Sequence, residues 1–118
     1  MQYQTDYILR LIEQLGGLIR GALEKLGVKD AEEPCELAGK AIGLALGMDP
    51  VLAAGLAPHS LVAMLRLGSL DDRVLTLVQE AIEVEAATLE SRGDVIAAGL
   101  RREQADAVRS LLSGEALT

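Results

Sequence analysis

The chain has 118 residues, a net charge of −7 and no Phe or Trp, so Tyr3 and Tyr7 are its aromatic residues. That charge disfavours nucleic acid and anionic membrane surfaces as partners, and the missing aromatics remove the stacking platforms of single-stranded nucleic acid binding. One cysteine, Cys35, leaves no intramolecular disulfide, and a chain of this size can bury roughly two-thirds of its unfolded surface without staples, as one domain over 1–118. With no basic, apolar leader at the N-terminus, a cytoplasmic location is the simplest expectation.

The first helix is expected from Asp6 to Leu26. Ile8, Leu11, Ile12, Leu15, Leu18, Ile19, Ala22 and Leu23 share one face at 100° per residue. Asp6 and Arg10 stand in the favourable i,i+4 order. Its polar face also carries Gly17 and Gly21, and an exposed helix-interior glycine costs about 1 kcal/mol relative to Ala. Gly27 to Glu33 reads as a connector whose acidic residues complement the next helix dipole, with Pro34 in the first turn.

The second helix is expected from Pro34 to Met48. Leu37, Ala38, Ala41, Ile42, Leu44, Ala45 and Met48 form its apolar side. Gly39, Gly43 and Gly47 line up opposite, between Glu36 and Lys40. Such spacing permits close backbone approach, as between membrane helices. A turn near Asp30 would set Gly21 level with Gly39 and Gly17 level with Gly43. These five glycines are therefore a candidate interface for a protein partner or a second copy in a homodimer. The alternative is an Ala/Gly-rich composition that simply tolerates them.

The apolar stretch from Ala41 to Leu65 is broken by Asp49-Pro50 and Ala57-Pro58. A membrane span needs about 20 uninterrupted apolar residues, so this stretch reads as buried core. Asp49 caps a short helix with Pro50 at its first position, carrying Val51, Leu52 and Leu56. Pro58 starts another to Leu67, with Leu61, Met64 and Leu65 inward and His59 on the surface.

The last third is two helices folded back at Arg92-Gly93-Asp94. In the first, Val74, Leu75, Leu77, Val78, Ala81, Ile82, Val84, Ala86 and Leu89 span about half the wheel, enough to touch neighbours on two sides. In the second, Ile96, Ala97, Ala98, Leu100, Ala105, Ala107, Val108, Leu111 and Leu112 share a side. Asp71 or Asp72 can cap the first, Gly93 can take the left-handed C′ position and Asp94 can cap the second. That turn chemistry accounts for all three residues of the Arg-Gly-Asp tripeptide without an adhesion role. Glu85, Arg101 and Gln104 violate the apolar pattern. Glu85 lies eight residues before Gly93 and Arg101 eight after, so an antiparallel turn places them level, as a partly buried ion pair.

Three places resemble a known family: Asp6-Tyr7-Ile8-Leu9-Arg10-Leu11-Ile12-Glu13-Gln14-Leu15, then Leu46-Gly47-Met48-Asp49-Pro50 with Leu56-Ala57-Pro58-His59-Ser60-Leu61, and the turn at Arg92-Gly93-Asp94. The chain resembles small bacterial all-helical proteins of unknown function, whose C-terminal halves are similar to tetratricopeptide hairpins. The resemblance implies a helical fold in the bacterial cytosol and, by analogy alone, protein binding. It implies no reaction. The chain departs from the family pattern at Ala57, where a capping serine is usual, and at His59, where an acidic residue is common.

No Gly-rich phosphate loop, paired Cys–His nucleophile or metal-ligand spacing stands out. Cys35 reads as an inert helical thiol, and Glu80 and Glu83 as a solvated face. The sequence thus predicts an all-α domain of about five helices with tetratricopeptide-like antiparallel hairpins, and no catalytic residue, cofactor or metal ligand. A protein–protein interaction or scaffolding module is the expected function. The alternative is a small-ligand protein or enzyme built on Glu85 and Arg101.

Overall fold

A computed structural model describes residues 2–25, 33–67 and 71–113, with side chains described over 7–24, 36–67 and 71–112. The described residues form six helices and no strand: α1 (Gln2–Lys25), α2 (Glu33–Leu46), α3 (Pro50–Ala54), α4 (Pro58–Leu67), α5 (Asp72–Ser91) and α6 (Val95–Ser113). The described residues thus give six helices where about five were expected in all, and each of the six, the short α3 included, answers to a helix expected from the sequence. The expected Asp6–Arg10 pair, the acidic connector and the Cys35 side chain lie outside the described residues or side chains.

The breaks follow from backbone chemistry. Gly47 takes φ +68° and stops α2 at Leu46, two residues before the expected Met48. The Met48 N–H then donates to Gly43 O at 3.0 Å, closing a Schellman-type cap. Asp49, extended at φ −61° and ψ 133°, accepts from the Val51 N–H at 2.8 Å, and Pro50 sits where no donor is needed. Gly93 repeats the device at φ +85°: its N–H donates to Glu90 O at 3.0 Å and that of Asp94 to Leu89 O at 2.9 Å. Asp94 caps α6 through the Ala97 N–H at 3.2 Å. Arg92, Gly93 and Asp94 are thus a C-cap, a left-handed residue and an N-cap.

Asp71 caps α5, accepting from the Arg73 N–H at 2.7 Å and from its guanidinium at 3.0 Å and 3.2 Å. The Arg73 side-chain hydrogen bond holds the Asp71 carboxyl below its ordinary value, and the backbone bond adds to this.

α5 is the central element. Val74, Leu75, Val78, Ala81, Ile82, Val84 and Ala86 are buried along it, and it packs on α6, α2 and α1. Cross-helix ion pairs join Arg102 to Glu90 at 2.8 Å and Arg109 to Glu83 at 2.9 Å. Residue numbers rise along α6 as they fall along α5, so the two run antiparallel. All four side chains are exposed, and such pairs contribute about 0–1 kcal/mol each. The burial that holds the fold comes instead from one cluster spanning all six helices: Leu11, Leu15 and Ile19 of α1, Ala38, Ala41 and Ile42 of α2, Ala53, Leu61 and Leu65, and Ala105 and Val108 of α6 against α5.

Three expectations are corrected. α1 begins by Gln2, not Asp6. Ile96, placed on the inner side of α6 by the wheel, is 89% exposed beside Val95, because α6 enters the core only at Ala98. The third concerns the glycines. Gly39 and Gly43 are buried, for α3 folds back onto them. A Cβ on Gly43 would meet Met48 O at 2.7 Å and Pro50 Cγ at 3.0 Å; one on Gly39 would meet Pro50 Cβ at 3.6 Å. Close approach does occur at this stripe, but within the chain and with a proline ring. Gly39 and Gly43 are therefore not part of an outer face. Gly47 is exposed and serves the turn, Gly21 abuts Leu37 of α2 and Gly17 faces open space. Gly21 does not meet Gly39, nor Gly17 Gly43.

Candidate functional site

The three pattern violators lie in one chain of buried polar groups. Arg101 Nη1 is 3.5 Å from Glu85 Oε1, and the two side chains are 5% and 7% exposed. The same Nη1 donates a hydrogen bond to Gln104 Oε1. Gln104, fully buried, donates through Nε2 to Leu56 O and reaches Ala54 O at 3.5 Å. The chain of contacts therefore runs from α5 through α6 to the backbone joining α3 to α4. Arg101 and Gln104 stand three apart on α6, so both reach the same flank of that helix.

Glu85 has a second neighbourhood. Its Oε2 lies 3.6 Å from where a Cβ of Gly39 would stand. Both residues border an open cleft of about 470 Å³ between α2, α3 and α5, lined also by Glu36, Lys40, Pro50, Val51, Ala54 and Arg92. The absence of side chains at Gly39 and the shortness of Ala54 leave this space open. Pro50 and Val51 supply apolar wall, and Val51 is 79% exposed. Glu36, Lys40 and Arg92 are exposed at the rim. The volume falls within the usual range of ligand pockets, roughly 300–1,000 Å³. Arg101 does not line the cleft; it stands behind Glu85.

Of the residues singled out in the sequence, the structure brings Glu85 and Arg101 together and sets Gly39 beside them. It leaves Gly17, Gly21 and Gly47 outside the site. Gln104 was visible only as an apolar-pattern violator, and its spacing from Arg101 was the available signal. The cleft wall from Pro50 to Ala54 had no sequence signal beyond the α3 cap. His59 lies exposed on α4, away from the cleft lining. Among the described residues no group of three or more His, Cys, Asp or Glu is placed to hold a metal ion, and no helix is long and apolar enough to cross a membrane.

Comparison with family models, curated proteins and solved structures returns no match for this chain.

Proposed function

We propose that the protein is a small interaction module that docks a segment of a partner protein in the cleft between α2, α3 and α5. The observation that carries the reading is the cleft itself. It combines an apolar wall at Pro50, Val51 and Ala54 with charged groups at floor and rim, the composition by which protein surfaces anchor one side chain and orient the rest of a segment. The bacterial cytosolic setting and the likeness to tetratricopeptide hairpins belong to the same proposal, through the resemblance at Asp6–Leu15 and at the Gly93 turn. The small-ligand alternative draws on the same cleft through Glu85, but Arg101 is too deeply placed to touch an occupant.

Selection from a random peptide display library, run in parallel on the native chain and on Val51→Arg, tests the reading. Val51 is exposed, so the change leaves the core intact. Enrichment of peptides that bind the native chain and lose binding to Val51→Arg supports cleft docking. No enrichment, or binders indifferent to Val51→Arg, overturns it.

A further inference from the structure

We infer that α3 is a movable wall of the cleft, hinged at Gly47 and at the Ala57–Pro58 junction and latched shut by Gln104. This concerns the regulation of the site read above as a docking cleft, and it rests on that reading only for the use made of the site.

The segment between the hinges is lightly held by packing. Ala53 alone of α3 is buried, while Val51 and Leu52 are exposed. Met48 and Leu56, on either side of the helix, are only partly buried against the core. The Pro50 ring rests over Gly39 and Gly43, and α2 is the element on which α3 chiefly packs. One buried alanine and a proline contact bring little apolar area beside the cluster that holds the longer helices. Units with so few buried apolar contacts are the ones that open below the global unfolding free energy. Both ends can absorb the change of direction: Gly47 already stands at φ +68°, and Pro58 begins a new helix.

Directional bonds supply what packing does not. Gln104 of α6, fully buried, donates through Nε2 to Leu56 O and lies 3.5 Å from Ala54 O, while its Oε1 accepts from Arg101. An amide suits this place because it offers a donor to one side and an acceptor to the other. Ala54 O is among the last carbonyls of α3, which a helix leaves without a donor of its own. If the segment swings out, water can meet these carbonyls, but Nε2 stays behind in an apolar core without a partner, which is unfavourable. That asymmetry favours the closed wall. Pro50, Val51 and Ala54 all lie between the hinges and all line the cleft, so breaking the latch withdraws the whole apolar wall at once.

The test is amide hydrogen exchange of the ¹⁵N-labelled full chain, with no peptide added. The Ala53, Gly55 and Leu56 amides donate to Asp49, Leu52 and Ala53, all within the segment. In the native chain these three are expected to exchange through one shared opening, faster than the amide of Ile82 in the buried face of α5. Gln104→Met keeps the bulk and removes the donor, and it should speed the three amides about tenfold relative to Ile82. Arg101→Met removes the other partner of Gln104 and leaves the latch, so it should not speed them relative to Ile82. Three amides that exchange only at the pace of Ile82 in the native chain overturn the hinged wall. A Gln104→Met chain that speeds α3 and α5 alike, or an Arg101→Met chain that releases α3 selectively, overturns the latch. The docking reading is decided apart from this, by the peptide selection.

Discussion

Replacing Arg101 with Met takes away the guanidinium that stands 3.5 Å from the Glu85 carboxylate, on a side chain only 7% exposed. Removing one partner of a buried pair costs about 3–5 kcal/mol. Glu85 borders the cleft and keeps a path to water there, so the lower end, about 3 kcal/mol, is expected. Domains of this size are stable by about 5–15 kcal/mol, so the variant folds but is weakened severely. With a urea m-value of about 1–3 kcal/mol/M, the midpoint falls by about 1–3 M. Glu85→Gln keeps the shape and removes the charge, leaving Arg101 bonded to Gln104, and is expected to cost about 1–3 kcal/mol. The double variant removes both charges of the pair together, so it should be more stable than the sum of the single losses implies, by about 0.5–3 kcal/mol.

The chain has no Trp, so far-UV circular dichroism of the helices is the readout. All four proteins of the cycle must be compared at equal m-value, because a changed m-value would place the effect in the unfolded ensemble. Losses that add within about 0.5 kcal/mol would falsify the energetic coupling, whatever the distance between the groups.

The glycines divide by what an added Cβ would touch. Gly17 faces open space, so Gly17→Ala should stabilise the chain by up to about 1 kcal/mol. At Gly43 the same methyl collides with Met48 O, a backbone atom, so Gly43→Ala should destabilise by about 1–3 kcal/mol despite the better helix propensity. Thermal melts of the two variants check the opposite signs, and a stabilised Gly43→Ala refutes the close packing of Pro50. The Asp71 cap predicts a pH dependence. Its folded value is lowered by Arg73, so its stabilisation is complete above the ordinary carboxylate value of 3.8 and is lost as pH falls through the lowered one. The stability gap between the native chain and Asp71→Ala should therefore be present at neutral pH and narrow on acidification in that range. A gap unchanged at the lowest pH would show that the carboxylate charge is not involved.

Periodicity made the core faces of α1, α5 and α6 legible, and cap chemistry fixed the turns at Asp49, Asp71 and Gly93. These signals are local, set by a residue and its neighbours within one turn. What was not legible depends on contact between elements. A helical wheel treats glycine as unoccupied surface, so it set Gly39 and Gly43 on an outer face. Burial there comes from Pro50, which the positive φ of Gly47 swings back onto α2. The distance along the chain is only seven residues from Gly43 to Pro50, yet the direction of the reversal is not written in hydrophobicity. Ile96 fails for the opposite reason. The wheel assigns it to the inner side, but Val95 and Ile96 precede the point, Ala98, at which α6 enters the core. The register of Glu85 and Arg101 was readable because the turn residue fixes it. The role of Gln104 was not, because its acceptors lie 48 and 50 residues away in sequence.

The same long-range link bears on why a largely aliphatic core keeps Glu85, Arg101 and Gln104 buried. A well-packed apolar trio would fold as well or better, so net stability is a poor reason for their presence. Their arrangement does something an apolar trio could not. Arg101 fixes the position of the Glu85 carboxylate, and Gln104, bonded to Arg101, holds the carbonyls of Leu56 and Ala54. Glu85 is the floor of the cleft and Ala54 is in its wall. Floor and wall are therefore positioned by one continuous set of directional bonds rather than by two independent packing contacts. An anchor entering the cleft meets a carboxylate and an apolar surface already set relative to one another, so little ordering remains to oppose binding. In this arrangement the directional bonds that an apolar core lacks are concentrated where the proposed recognition requires a fixed geometry.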